Sequence, residues 1–247
     1  MPLPQPTVEE LISALKRSTL PTLIVEGTTD ASVYRLIERT LRFPGGTVLP
    51  AGNRAAVFEI YRRRAELSHL KVAFLADKDM WVFGGVPAGY EGIRFTTGYS
   101  IENDLLDGPI LGRLCDHAEQ AHFSALLDEL ARWFAYELQE WRAGRDTVMD
   151  VSAMRLVPVG VGSLDPGWIQ SRGFTEPQAV TLSEVRGNAR MGIRGKQVLD
   201  LAVRMLNAPT RQAKHSRESI IEICATSPDH TTCRGLIAAL QAALKGE

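Results

Sequence analysis

"LKVAFLADKD", residues 70–79, decides how the rest of the chain is read. An apolar run, Val72 to Ala76, stops abruptly at Asp77-Lys78-Asp79. A short run without polar alternation fits a strand buried in a parallel sheet. Three more β-type runs surround it: "TLIVEG" (22–27), ending at Glu26 and Gly27; "GTVLPAGN" (46–53); and "EGIRFTTGYSIEN" (91–103), ending near Thr96-Thr97. Helical spacing fills the gaps. "TDASVYRLIERTLRF" (29–43) has Thr29 or Asp30 as N-cap, and "AAVFEIYRRRAEL" (55–67) follows the second strand. Ahead of the first strand, "TVEELISALKRS" (7–18) reads as an amphipathic helix with a Thr7–Glu10 capping box. The order strand, helix, strand, helix, strand, strand predicts an α/β fold, a mostly parallel central sheet flanked by helices.

Downstream, Pro109 to about Gly144 is helical in pattern, with "LLDELARWFAYELQEW" (126–141) apolar at three- and four-residue steps. "MRLVPVGVGSLDPGW" (154–168) reads as a strand and a glycine-rich turn, and residues 167–195 show weaker order. "GKQVLDLAVRMLNA" (195–208) and "TTCRGLIAALQAALKG" (231–246) read as late helices. The 247 residues, 45% hydrophobic and with a net charge of −1, can bury a sizeable core but carry no global basic field. Any nucleic-acid contact must come from local patches. Three cysteines cannot make a disulfide framework, the start Met1-Pro2-Leu3-Pro4 lacks a signal's basic and apolar regions, and no membrane span is legible. The expectation is a cytoplasmic protein with reduced thiols and no membrane partner.

Functional groups of an open parallel sheet gather beyond the carboxyl ends of its strands. Glu26 ends the first strand; Asp77 and Asp79 end the third. If that strand stays extended, alternation points both aspartates to one side. Adjacent carboxylates repel unless a hard divalent cation sits between them, and Mg²⁺ suits that role. Alone, Asp-x-Asp is commonly a solvated strand-to-loop turn. The Glu-Gly on the first strand and a second acidic cluster, "YSIEND" (99–104), raise its significance.

Together, "LIVEGTTDASVYRLI" (23–37), "VAFLADKDM" (72–80) and "TTGYSIENDLL" (96–106) resemble the Toprim fold of topoisomerases, bacterial primases and overcoming-lysogenization-defect nucleases. The resemblance spans roughly residues 20–106, with a looser match near Gly195-Lys196. It is nearest to the Toprim-like nuclease effectors that accompany ABC-type ATPases in bacterial anti-phage defence. It implies a Toprim-like core with the N-terminal helix over 1–106, a helical insertion over 107–146, and residues 147–247 completing one domain. It implies Glu26 as general acid or base and metal neighbour, Asp77 and Asp79 as metal ligands, and Glu102 as a further acidic ligand. The implied cofactor is Mg²⁺ or Mn²⁺, the substrate DNA or RNA (tRNA among them), and the partner an ABC-type ATPase, with a homodimer also expected. No tyrosine-bearing strand-passage domain and no primase zinc module is legible, so water is the expected nucleophile.

Phosphodiester hydrolysis also benefits from a cation on the transition state. Lys196, in "GIRGKQVLDL", is the candidate; a solvated lysine in a helix's first turn explains it equally well. Arg186, Arg190 and Arg194 recur every four residues. If helical they share a face and could track nucleic acid, with Arg190 and Arg194 the candidate contacts; Gly187, Gly192 and Gly195 disfavour a helix, so a mobile basic loop fits equally well. Arg62-Arg63-Arg64 could grip a backbone but reads better as a solvated face. Gly52-Asn53-Arg54 could contact phosphate or be a plain turn. Cys224, His230 and Cys233 match no common zinc spacing. Cys115 with His117 fits none either. Ser100 lacks a nucleophile context, and Tyr99 reads as packing that positions the acidic loop. Two other functions fit parts of the pattern. A Mn²⁺-dependent glycosyltransferase would use Asp-x-Asp but leave Glu26 and "YSIEND" idle. A non-enzymatic regulatory subunit would dock on an ATPase.

Overall fold

The apolar run at Val72–Ala76 is the strand β3 of a four-stranded parallel sheet in a computed structural model. The structure describes residues 5–27, 33–34, 38–39, 46–107, 110–227 and 231–245. With β1 (Thr22–Val25), β2 (Thr47–Pro50) and β4 (Ile93–Phe95), the strand order is β2-β1-β3-β4. Ile24 lies opposite Leu49 on one side and Phe74 on the other, and Ala76 opposite Phe95. All four β1 residues are buried, as expected of a strand covered on both faces. The chain leaves β1 toward β2 and returns to β3 on the other side. The β1/β3 junction is therefore the topological switch point, where such sheets place their ligands.

The chain forms two compact units: Met1–Lys78 with Val86–Thr96 and Thr231–Glu247, and Asp79–Gly85 with Thr97–His230. The sheet belongs to the first. Its helix Val8–Lys16 starts at the expected box, Thr7 Oγ1 accepting the Glu10 N–H while Glu10 takes the Thr7 N–H at 2.8 Å. It buries Leu11, Ile12 and Leu15, each worth roughly 1.5–3 kcal/mol of transfer free energy. Asn53 caps the helix Arg54–Arg62 through the Ala56 N–H. That helix packs on β1 and β3, with Tyr61 edge-on to Phe74 at 5.3 Å. The helix expected over 29–43, with its Thr29 or Asp30 cap, falls mostly outside the described residues. The last helix, Thr231–Lys245, also packs on β3 and β1, burying Cys233, Leu236, Ile237, Leu240 and Leu244. The apolar stripe of the last helix is thus spent on the sheet, which is why residues 231–247 group with the first unit.

The second unit is helical. Its axis is the 26-residue helix His117–Arg142, ~39 Å long at 1.5 Å per residue, capped by an Asp116–Glu119 box. Leu126, Leu130, Trp133, Phe134 and Leu138 on it are fully buried. The strand expected in "MRLVPVGVGSLDPGW" is instead the short helix Ala153–Leu156, capped by Ser152, followed by turns with Gly160 and Gly162 at φ 84° and 74°. The weakly ordered stretch 167–195 is also helical: Pro166–Arg172, Ala179–Gly187 and Ala189–Gly192. Asp165 caps the first of these, Pro166 opens it, and Gly173 closes it in the left-handed region. The helix Gly195–Leu206 stands where expected, and Arg217–Thr226, capped by Ser216, is an additional one. No helix among the described residues is long and apolar enough to cross a membrane.

Candidate active site

In the sheet unit, Glu26 follows β1 and Asp77 follows β3, side by side at the switch point. Glu26 Oε1 accepts the Asp77 N–H at 2.8 Å, so the first carboxylate fixes the peptide that carries the second. Both residues are half-buried. The next peptide is held from the β4 side: the Lys78 N–H donates to Thr96 Oγ1 at 3.0 Å, and Thr96 is fully buried. From sequence, Gly52-Asn53-Arg54 is either a phosphate contact or a plain turn. In the structure Arg54 opens the helix after β2, its Nη2 3.5 Å from the Lys78 carbonyl and its Cζ 5.2 Å from the Phe58 ring centre.

Asp79 opens a 3-10 helix in the second unit. The expected extended Asp77-x-Asp79 is not found, because β3 ends at Ala76 and Asp79 adopts φ 50°. Its N–H is taken by the Tyr99 carbonyl at 2.8 Å. A left-handed non-glycine backbone stores of order 1 kcal/mol, and aspartate tolerates it better than most residues. Tyr99 is the packing residue expected: its own N–H donates to the Met191 carbonyl at 2.7 Å, and its ring meets Phe134 edge-on at 5.6 Å.

"SIEND" builds the start of the helix Ile101–Leu106 in the same unit. Ser100 caps it, with Asn103 completing a capping box through a 2.9 Å bond from the Ser100 N–H. Glu102 is 2% exposed. Ser100 Oγ donates to its Oε2 at 2.6 Å, and Lys196 Nζ lies 3.9 Å from its Oε1. A charge-assisted hydroxyl bond and a nearby ammonium are what a buried carboxylate needs. The structure thus brings two expected site residues, Glu102 and Lys196, together. Three further features do this positioning. Asp104, fully buried, takes the N–H groups of Thr97 and Gly98 at 2.8 and 2.7 Å. Asn103 donates to the Ile193 carbonyl at 2.8 Å. Gly195 abuts the cap so closely that a Cβ would stand 2.5 Å from Ser100 Oγ. The "GK" of "GIRGKQVLDL" was the only sequence signal for this contact.

The three spaced arginines do not form one face, because they belong to different elements. Arg186 forms a two-bond pair with Asp128 at 2.5 and 2.6 Å. Arg190 lies over the Phe123 ring, 5.8 Å from its centre, and its carbonyl accepts from Asn103. Arg194 precedes the helix Gly195–Leu206. Nearby Asp200 has its carboxyl pushed up by burial, which the charges of Arg217 and Arg194 partly oppose. Arg62 pairs with Glu59, Arg63 with Glu9 and Glu66, and Arg64 lies over the Tyr61 ring, 4.2 Å from its centre, so the run is engaged within its own unit. Cys224 and Cys233 are buried in separate units, and His230 lies outside the described residues.

Among the described residues, no group of three or more His, Cys, Asp or Glu side chains is gathered to hold a metal ion. Mg²⁺ commonly binds through one or two carboxylates, completing its shell with waters and substrate phosphates. Glu26 and Asp77, hard oxygen donors at one half-buried edge, fit that mode. No protein-family model matches the chain, and no curated protein matches its sequence.

Proposed function

We propose that the protein is a metal-dependent nuclease that hydrolyses phosphodiester bonds of DNA or RNA. The observation that carries this reading is the Glu26–Asp77 junction at the switch point of a parallel sheet. Glu26 and Asp77 would hold Mg²⁺ or Mn²⁺; the family resemblance adds Asp79 and Glu102 to the acidic set. When bound, the ion supplies charge neutralisation on the phosphate and a more acidic water. Glu26 orients the attacking water and receives its proton at a carboxylate oxygen, or returns one to the leaving oxygen. Lys196, 3.9 Å from Glu102, is the cation that the resemblance assigns to the developing negative charge. Arg190 and Arg194 would contact the nucleic-acid backbone. The family resemblance supports a cytoplasmic toxic effector of anti-phage defence, a homodimer in its active form and restrained by an ABC-type ATPase until released. The near-neutral chain agrees with modest affinity for nucleic acid on its own.

The test is cleavage of plasmid, single-stranded DNA and total tRNA in Mg²⁺ or Mn²⁺ and in EDTA, with and without the partner ATPase. The reading expects metal-dependent cutting of at least one substrate. Cutting that persists in EDTA, or none with the partner supplied, would count against it.

A further inference from the structure

We infer that Arg54 is a substrate-phosphate ligand of the proposed nuclease, gripping a nonbridging phosphate oxygen beside Glu26 and Asp77. The inference rests on the nuclease reading and adds to it a residue that the acidic motifs do not contain. Its basis is where the guanidinium is carried. The Ala51 N–H donates to the Val25 carbonyl at 2.7 Å, so the chain after β2 stays paired with β1 up to the residue before Glu26. Arg54 begins its helix three residues later, capped by Asn53. From there its Nη2 comes within 3.5 Å of the Lys78 carbonyl, beyond the end of β3. Because β1 lies between β2 and β3, an arginine that follows β2 and approaches the Lys78 carbonyl is carried to the sheet edge where Glu26 follows β1. With neighbouring strands roughly 4.8 Å apart, the ends of β2 and β3 are separated by roughly 9.6 Å, a span covered by the turn after β2 and the arginine side chain together.

The chemistry of the position favours phosphate. Arginine stays charged at any physiological pH and presents a planar fork that matches two phosphate oxygens. The Phe58 ring, its centre 5.2 Å from Cζ, supports the guanidinium plane. A carboxylate edge that must admit a polyanion needs a cation close to it, and the Arg54 side chain reaches that edge, its Nη2 3.5 Å from the Lys78 carbonyl.

The experiment measures binding without turnover. Full-length protein carrying Glu26→Ala is compared with the same protein also carrying Arg54→Gln or Arg54→Lys, in EDTA. The probes are a fluorescent 30-nucleotide single-stranded DNA and total tRNA, each across a salt series. Loss of one phosphate contact lowers the slope of log affinity against log salt by about 0.7–0.9. Arg54→Gln should show that drop and a loss of about tenfold in affinity on the polymer that is the substrate. Arg54→Lys should retain the slope and recover part of the affinity, which a merely structural role would not produce. Unchanged affinity and slope in Arg54→Gln, or no binding by the Glu26→Ala parent at low salt, would overturn the assignment. Failure of the nuclease reading is separate: it appears as cleavage indifferent to Glu26→Ala.

Discussion

Gly195→Ala tests how tightly the second unit holds Lys196. A Cβ there would stand 2.5 Å from Ser100 Oγ, 2.6 Å from Asn103 Oδ1 and 2.9 Å from the Asn103 nitrogen. Ordinary contact begins near 3.4 Å. The start of the Gly195–Leu206 helix must therefore withdraw by roughly 1 Å, or the Ser100 cap must break. Overpacking of this kind costs about 1–3 kcal/mol. The gain from replacing a helical glycine is at most about 1 kcal/mol and smaller in a first turn, so the clash wins. A net loss of about 1–2 kcal/mol should appear as a lower urea midpoint at unchanged slope. Lys196, one residue on, moves with the helix start away from Glu102, now 3.9 Å off. A displacement of 1 Å can reduce turnover on the order of a hundredfold. Gly187→Ala is the matched control: its added Cβ would meet nothing within 4 Å, so it should be neutral or stabilising. If both variants had the same midpoint and the same activity, the packing of Ser100, Asn103 and Gly195 would not be what places Lys196.

Two further predictions concern groups outside the acidic motifs. Glu137 is fully buried, taking Arg172 Nε and Nη2 at 2.9 and 3.2 Å and the Val148 N–H at 2.9 Å; Glu137→Gln should cost about 2–4 kcal/mol in chemical denaturation, and a loss under about 0.5 kcal/mol would show the pair to be idle. Burial pushes the Cys224 thiol from 9.0 up to about 11. The folded state therefore binds that proton more tightly, and the contribution is complete below pH 9 and fades as pH rises toward 11. Stability of Cys224→Ala should decline less steeply than wild type over that range; parallel curves would refute the assignment.

The sheet was legible because its strands are uninterrupted apolar runs with helical spacing between them. Glu26 and Asp77 were found because strand ends in a parallel sheet are predictable places. Asp79 was misjudged: alternation holds only while the backbone stays extended, and the bond from its N–H to the Tyr99 carbonyl, 20 residues away, turns it out of register. Lys196 was placed by a family pattern; its closeness to Glu102 depends on packing across 94 positions, which no local rule encodes. For Arg54 the sequence leaves phosphate contact and plain turn equally open, because a turn's sequence does not say how far a long side chain reaches. The cap signals Asp165-Pro166 and Gly173 were present in the sequence, but the surrounding glycines obscured them. Glu137 and Arg172 lie 35 residues apart and look like ordinary surface charges until the fold buries one of them.

The central claim is that Glu26, at the end of β1, does phosphodiester chemistry. The most direct measurement compares wild type with Glu26→Ala on plasmid, single-stranded DNA and total tRNA in Mg²⁺ or Mn²⁺, with and without the partner ATPase. Melting curves check that both proteins are folded. The account predicts cleavage of at least one substrate by wild type and a loss of at least a hundredfold in the variant, the scale of a removed general base. Equal cleavage by the two folded proteins would contradict it, and so would complete inactivity of the wild type with its partner present.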